Sequence, residues 1–180
     1  WSMAVFLFSF SEMVNAQSYA REKYSKITWN YLEALSGFGP RYVGTKGYSK
    51  TLRLIRRVGA EFADEVIEHS FFVKQHGGGQ RQMTNVEFVF HGNAEGRPVL
   101  LGAHYDTRPF ADQESDPILQ TRPIIGSNDG GSGTSVLLGL AQYLKESPVS
   151  QPVRLMFFDG EDFGRSGTDE MFLGSKHHAD

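Results

Sequence analysis

Three short stretches carry side chains that could do chemistry together. "FFDGEDFG", residues 157 to 164, sets Glu161 and Asp162 side by side after an apolar, strand-like run, with Asp159 just before them. "LLGAHYD" ends in His104 and Asp106, two residues apart and so on one side of an extended chain. "PIIGSNDGGSG" presents Asp129 in a glycine-rich turn. Unpaired charge is expensive to desolvate, so carboxylates aimed out of a buried strand need compensation, and a divalent cation supplies it. His104, Asp129 and the Glu161-Asp162 pair make a nitrogen and oxygen donor set that suits zinc. Neighbouring residues at a strand end point in different directions, so one of the pair can bind the metal while the other moves protons.

Taken singly, each residue has a plainer reading. His104 could be a hydrogen-bonded histidine at a sheet end, Asp129 a turn residue or helix cap, and Glu161-Asp162 a solvated turn. Their occurrence in order at successive strand and turn ends is what favours a site. His69, His76 and His91 lie in or beside early strands with no acidic partner expected nearby and receive no role, while Tyr105 and Phe163 read as packing residues.

The elements that must position these residues follow from periodicity. "SYAREKYSKITWNYLEAL" has apolar residues at helical spacing, ends at Gly37 and is followed by Pro40. After the loop "GFGPRYVGTKG", the stretch "YSKTLRLIRRVGAEFA" resumes the helical period with Leu52, Ile55 and Val58 on one face. "EVIEHSFFVK", "TNVEFVFHG" and "RPVLLGAHYD" are rich in β-branched and aromatic residues and are separated by turns at "HGGGQ" and "GNAEG". "SVLLGLAQYLKE" predicts a helix with Val136, Leu137, Leu140 and Leu144 inward, and "PVRLMFFDG" a fourth strand. The sum is an α/β/α sandwich with a central mixed sheet and functional loops at the strands' carboxyl ends.

Composition narrows the partners. With 180 residues and 39% hydrophobic content, the chain can bury one sizeable core, which fits a single domain. A net charge of -3 without basic runs argues against nucleic acid and anionic membranes. The absence of cysteine excludes disulfides, a thiolate nucleophile and a cysteine zinc site. Residues 1–16, "WSMAVFLFSFSEMVNA", resemble the apolar core and cleavage region of a secretory signal, so they are expected to be a signal remnant and the protein to be exported, periplasmic or secreted. A buried core helix is the alternative for that run, which is too short to span a bilayer, and no integral membrane protein is expected. The missing charged leader and initiator Met imply an incomplete reading frame. "GGSGT" breaks the G-x-S-x-G pattern of serine hydrolases, and "GSNDGGSGTS" lacks the Lys of a phosphate loop.

"GAHYDTRP", "GSNDGGSG" and "FFDGEDFG", in this order, are similar to the core motifs of the M28 zinc exopeptidases, and most of all to bacterial glutaminyl cyclases of the animal type. The similarity runs from about residue 28 to the end, with "GPRYVGT" and "FLGSKHH" as weaker matches. The resemblance implies a zinc-exopeptidase-like fold, with residues 17–180 forming the N-terminal portion of one catalytic domain. It makes Asp129 a metal ligand, Asp162 the next ligand (often Glu in the family), Glu161 the proton-transfer residue, and Asp106 the carboxylate that orients His104. His104 would bind a second zinc in an aminopeptidase and none in a cyclase. A further zinc histidine is implied beyond Asp180, so this chain by itself is expected to bind zinc weakly. His177 and His178 match instead the start of a helix capped by Ser175.

The activity implied is a zinc-dependent glutaminyl-peptide cyclotransferase, an acyltransferase that turns N-terminal Gln into pyroglutamate with release of ammonia. One zinc is expected in that case. The alternative is an aminopeptidase with two zincs, a hydrolase in which Glu161 activates water. A third reading is an inactive, exported binding module on the same fold. The acidic stretch "DTRPFADQESDP" resembles the cyclase version. Peptide or protein N-termini would be the substrates in the first two cases.

Overall fold

The computed structural model describes residues 10–74 and 79–179. His76 and most of the "HGGGQ" turn lie outside them, as do residues 1–9 of the expected export signal. Among the described residues, four helices and four strands follow in the order α1 (Phe10–Gly37), α2 (Lys46–Phe62), β1 (Glu65–Lys74), β2 (Gln80–Phe90), β3 (Val99–His104), α3 (Gly131–Glu146), β4 (Val153–Phe158) and α4 (Leu173–Ala179), with one 3-10 turn at Leu119–Thr121. No described helix is long and apolar enough to cross a membrane.

The sheet is mixed, as expected, with strand order β1-β2-β4-β3. β1 and β2 pair antiparallel, β2 and β4 antiparallel, and β3 and β4 parallel. Alternation along the strands separates two faces. Val86 and Phe88 of β2 and Leu155 and Phe157 of β4 are fully buried and pack with Ile55, Val58, Leu138 and Ala141 from α2 and α3. Asn85, on the opposite face of β2, donates to the carbonyl of Gly174 in α4, so the short α4 lies on the second face. Among the described residues β3 is an edge strand, and its Val99, Leu100 and Leu101 are 44%, 49% and 40% exposed.

Helix α2 starts where its cap dictates: Thr45 Oγ1 accepts from the Tyr48 amide at 3.1 Å, and Leu52, Ile55 and Val58 form its buried stripe. Helix α3 departs from the expected face. Leu137, Leu138, Ala141 and Leu144 are buried, whereas Val136 is 54% exposed. One residue step turns a helix by about 100°, which takes Val136 off a stripe centred beyond Leu137. Ser175 does not cap α4, because the helix begins two residues earlier and the Ser175 hydroxyl instead donates to the Phe172 carbonyl.

Candidate metal centre

β3 and β4 run parallel and adjacent, so their carboxyl ends deliver His104 and the 159–162 loop to one edge of the sheet. The Asp129 turn reaches the same edge because it leads into α3, whose Thr134 hydroxyl donates to the His104 carbonyl at 2.8 Å. The helix cap is Gly130 rather than Asp129. Gly130 has φ 75°, and a Cβ there would stand 2.6 Å from the Asp106 carbonyl, so only glycine lets the turn come this close.

One donor atom each from His104, Asp129 and Asp162 lie within 4.8 Å of one another, the one such group of three or more among the described residues. Ligands to zinc sit about 2 Å from the ion and hence no more than about 4 Å apart, a spacing that these three donor atoms approach. His104 Nε2 is 3.0 Å from Asp129 Oδ1, and its Nδ1 is 3.3 Å from Asp106 Oδ1. Asp106, 2% exposed, grips the other loop through backbone: Oδ1 accepts from the Glu161 amide at 3.2 Å and Oδ2 from the Asp162 amide at 3.0 Å.

The electrostatics are those of crowded carboxylates in a partly dry site. Burial, then the charges of Asp129 and Asp106, push the Asp162 carboxyl up to about 6, against His104 and Arg108. Glu161 is raised as well, first by burial, with His104 opposing and Asp106 and Asp129 adding. Burial disfavours the charged imidazole of His104, yet the Asp106 bond and the charges of Asp106, Asp162 and Asp129 lift it to about 9. A divalent cation would relieve this excess of negative charge, so the donor set and its surroundings fit zinc.

Other residues fall away from the centre. His177 stacks on Phe71 at 4.6 Å, and His178 lies edge-on to His69 and Phe158. His69 does have an acidic neighbour, contrary to expectation: its Nε2 is 2.8 Å from Glu87 Oε2. The β1-β2 register sets His69 opposite Asn85, so Glu87 sits on the cross-strand diagonal, eighteen residues away in sequence. Tyr105 is fully buried, but Phe163 does more than pack. With Tyr42, Val43, Pro109, Phe110 and Arg165 it walls a cavity of about 700 Å³ beside the Asp162 loop. The acidic stretch folds back onto the same wall, where the Ser166 amide donates to Asp112 and Arg165 lies 4.6 Å over the Phe110 ring.

Two supports escaped the sequence reading. Asp159 is fully buried, and its Oδ2 accepts from the Tyr48 hydroxyl at 2.6 Å and the Thr84 amide at 2.9 Å. Arg41 is fully buried with its guanidinium on backbone carbonyls. Its only signal in sequence was a charged residue inside the glycine-flanked "GPRYVGT".

The geometry has counterparts among known proteins. Glutaminyl cyclase of Tannerella forsythia matches with a TM-score of 0.78 and 28% identity, over 86% of this chain and 55% of that one. A Zn-dependent exopeptidase from Parabacteroides distasonis matches with a TM-score of 0.77 and 27% identity over the same shares. Aminopeptidase YwaD of Bacillus subtilis is 37% identical over 82 residues, 46% of this chain and 14% of that protein. The chain thus spans about half the length of these solved structures and a smaller part of the curated relative. The profile of Peptidase family M28 matches residues 85–180, more than half of the chain and the whole stretch that carries His104, Asp129, Glu161 and Asp162, and the chain belongs to that family.

Proposed function

We propose that the protein is a zinc-dependent glutaminyl-peptide cyclotransferase. In this reading Asp129 and Asp162 would be two of the ligands of one zinc, which when bound would supply a Lewis acid for the γ-carboxamide of an N-terminal glutaminyl residue. The substrate's own α-amine is the nucleophile, so the chain needs none. Glu161 takes a proton from that amine as it attacks and returns one to the departing nitrogen, which leaves as ammonia. Its raised pKa, caused mainly by burial, suits a group that must hold and then release a proton. Asp106 fixes Glu161 and Asp162 relative to each other through their amides.

The observation that carries the choice of cyclase is the setting of His104. Both its ring nitrogens face carboxylates, Asp106 at 3.3 Å and Asp129 at 3.0 Å, so His104 can serve as a hydrogen-bonding partner of the ligands without binding a metal itself. Two facts favour the aminopeptidase reading instead: His104 belongs to the 4.8 Å donor group, and the chain is similar to an aminopeptidase over 82 residues. There Glu161 would take its proton from water. Export through residues 1–16 belongs to the same proposal.

The deciding experiment is on the full-length protein. Ammonia release from an N-terminal glutaminyl peptide, little leucine release from a matched peptide and about one zinc per chain are expected, and His104→Ala should lower activity without lowering that stoichiometry. Rapid leucine release with two zincs per chain, falling to one in His104→Ala, would identify an aminopeptidase.

A further inference from the structure

We infer that Arg41 is a positioning residue for the metal centre: its buried guanidinium, clamped on the carbonyls beneath the Asp129 turn, sets where Asp129 can stand. The inference rests on the reading of Asp129 as a zinc ligand.

Buried arginines ordinarily face a carboxylate, because an unpaired buried charge is costly. Arg41 is 0% exposed, yet its side-chain hydrogen bonds all go to backbone carbonyls from three separate segments. Nε donates to Tyr105 O at 3.0 Å, at the end of β3. Nη1 donates to Ile125 O at 2.7 Å and, at 3.4 Å, to Leu35 O in the last turns of α1. Nη2 donates to Gly126 O at 2.7 Å. The Arg41 amide adds a bond to Thr107 Oγ1 at 2.8 Å.

The Gly126 carbonyl is where the clamp meets the site. It accepts from Arg41 Nη2 and, at 3.0 Å, from the Gly131 amide, which closes the turn whose apex is Asn128-Asp129. Gly126 has φ 62°, and a Cβ on it would lie 2.4 Å from Thr107 Cγ2 and 2.6 Å from the Asp129 carbonyl. The turn therefore has no slack, and its position follows the guanidinium. Asp129 itself has a side chain 61% exposed, with His104 Nε2 at 3.0 Å, so much of its placement must come from the backbone below. The guanidinium stays charged at neutral pH: burial lowers it to about 10 while Asp106 and Asp129 act the other way. A lysine would keep the charge but not the planar fork that reaches several carbonyls at once.

The test is zinc affinity in the full-length protein, measured by competition with a chromophoric chelator, together with hydrogen exchange at the Gly131 amide. Arg41→Lys should weaken zinc binding at least tenfold and speed exchange at Gly131. Excess zinc should restore part of the lost turnover. Arg41→Met should weaken binding further, and should it fail to fold, Gly126→Ala serves as the second variant. It keeps the Arg41 side chain, whose Nη2 would lie 3.3 Å from the added Cβ, displaces the turn, and should weaken zinc binding by a similar factor. Folded Arg41 variants that melt earlier but bind zinc as the wild type does would reduce Arg41 to a structural residue and overturn the inference. A wild-type protein that binds no zinc would instead overturn the proposed function, and this inference with it.

Discussion

Asp162 and Asp129 face the same point from opposite kinds of support. Asp162 is 6% exposed, and its loop hangs by its own amides from the Asp106 carboxylate. Asp129 is well exposed, and its turn is held from behind by a cation on carbonyls. An anion grips N–H groups and a cation grips C=O groups, so each loop is fixed through the backbone pole its anchor can bind. Both anchors converge on four consecutive residues. His104 faces Asp129, Tyr105 accepts from Arg41, Asp106 holds the 161–162 amides, and Thr107 accepts from the Arg41 amide. The end of β3 is therefore the datum from which both carboxylates are measured, and damage there should move both at once.

The sharpest division lies within the 161–162 pair. Glu161→Gln should lower turnover by about a thousandfold, within the usual range for a general acid-base group, and leave zinc content near wild type. Asp162→Ala should remove both. Loss of metal in the Glu161 variant would exchange the two roles.

Asp106→Asn comes next, because it attacks one anchor and spares the other. The amide can accept at one oxygen only, so one of the two loop bonds is lost. A ten- to hundredfold loss of zinc affinity or activity is expected, with about 1–3 kcal/mol of stability in denaturant unfolding. An unchanged zinc affinity would mean that Asp106 does not place Asp162.

A smaller effect concerns Asp159, whose carboxyl burial and then the Asp106 charge hold up at about 7. Its unfolded value is near 3.9, so between these values the folded state binds the proton and the unfolded state does not. Stability attributable to this group must fall as pH rises from about 4 to about 7, by at most about 1.4 kcal/mol per unit, and level off above. In metal-free protein, Asp159→Asn should flatten that slope relative to wild type. Parallel denaturation curves of the two proteins at pH 5 and pH 8 would refute the assignment.

The smallest change expected is in His177→Ala, which loses a ring contact with Phe71 on the far face of the sheet. Zinc content and turnover should be unchanged and stability should drop by less than about 1 kcal/mol. Loss of zinc would make His177 a ligand after all.

What was legible in the sequence was whatever chemistry is written contiguously. His104 and Asp106, Asp129 in its glycine turn, and Glu161 with Asp162 each stand out because strand and turn signals surround them. Helices α1 to α3 and all four strands follow from periods of 3.6 and 2. Long-range partners left no such mark. Tyr48 meets Asp159 across 111 residues and Arg41 meets Gly126 across 85, so no local pattern pairs them. His69 and Glu87 are joined only by the register of β1 on β2, which alternation alone does not fix. Val136 was misjudged because a helix in an apolar stretch offers more than one plausible stripe.

The edge position of β3 also governs how the polypeptide behaves in a tube. Among the described residues, no strand pairs with the outer side of β3, and its backbone beside half-exposed Val99, Leu100 and Leu101 is a template for another extended strand. Handled as residues 1–180, the chain should therefore form concentration-dependent aggregates through that edge, well before its core melts. Leu100→Lys, on the second face of the sheet and remote from the Arg41 clamp, places a charge where an incoming strand would lie. Light scattering should show the variant staying monomeric at concentrations that cloud the parent chain.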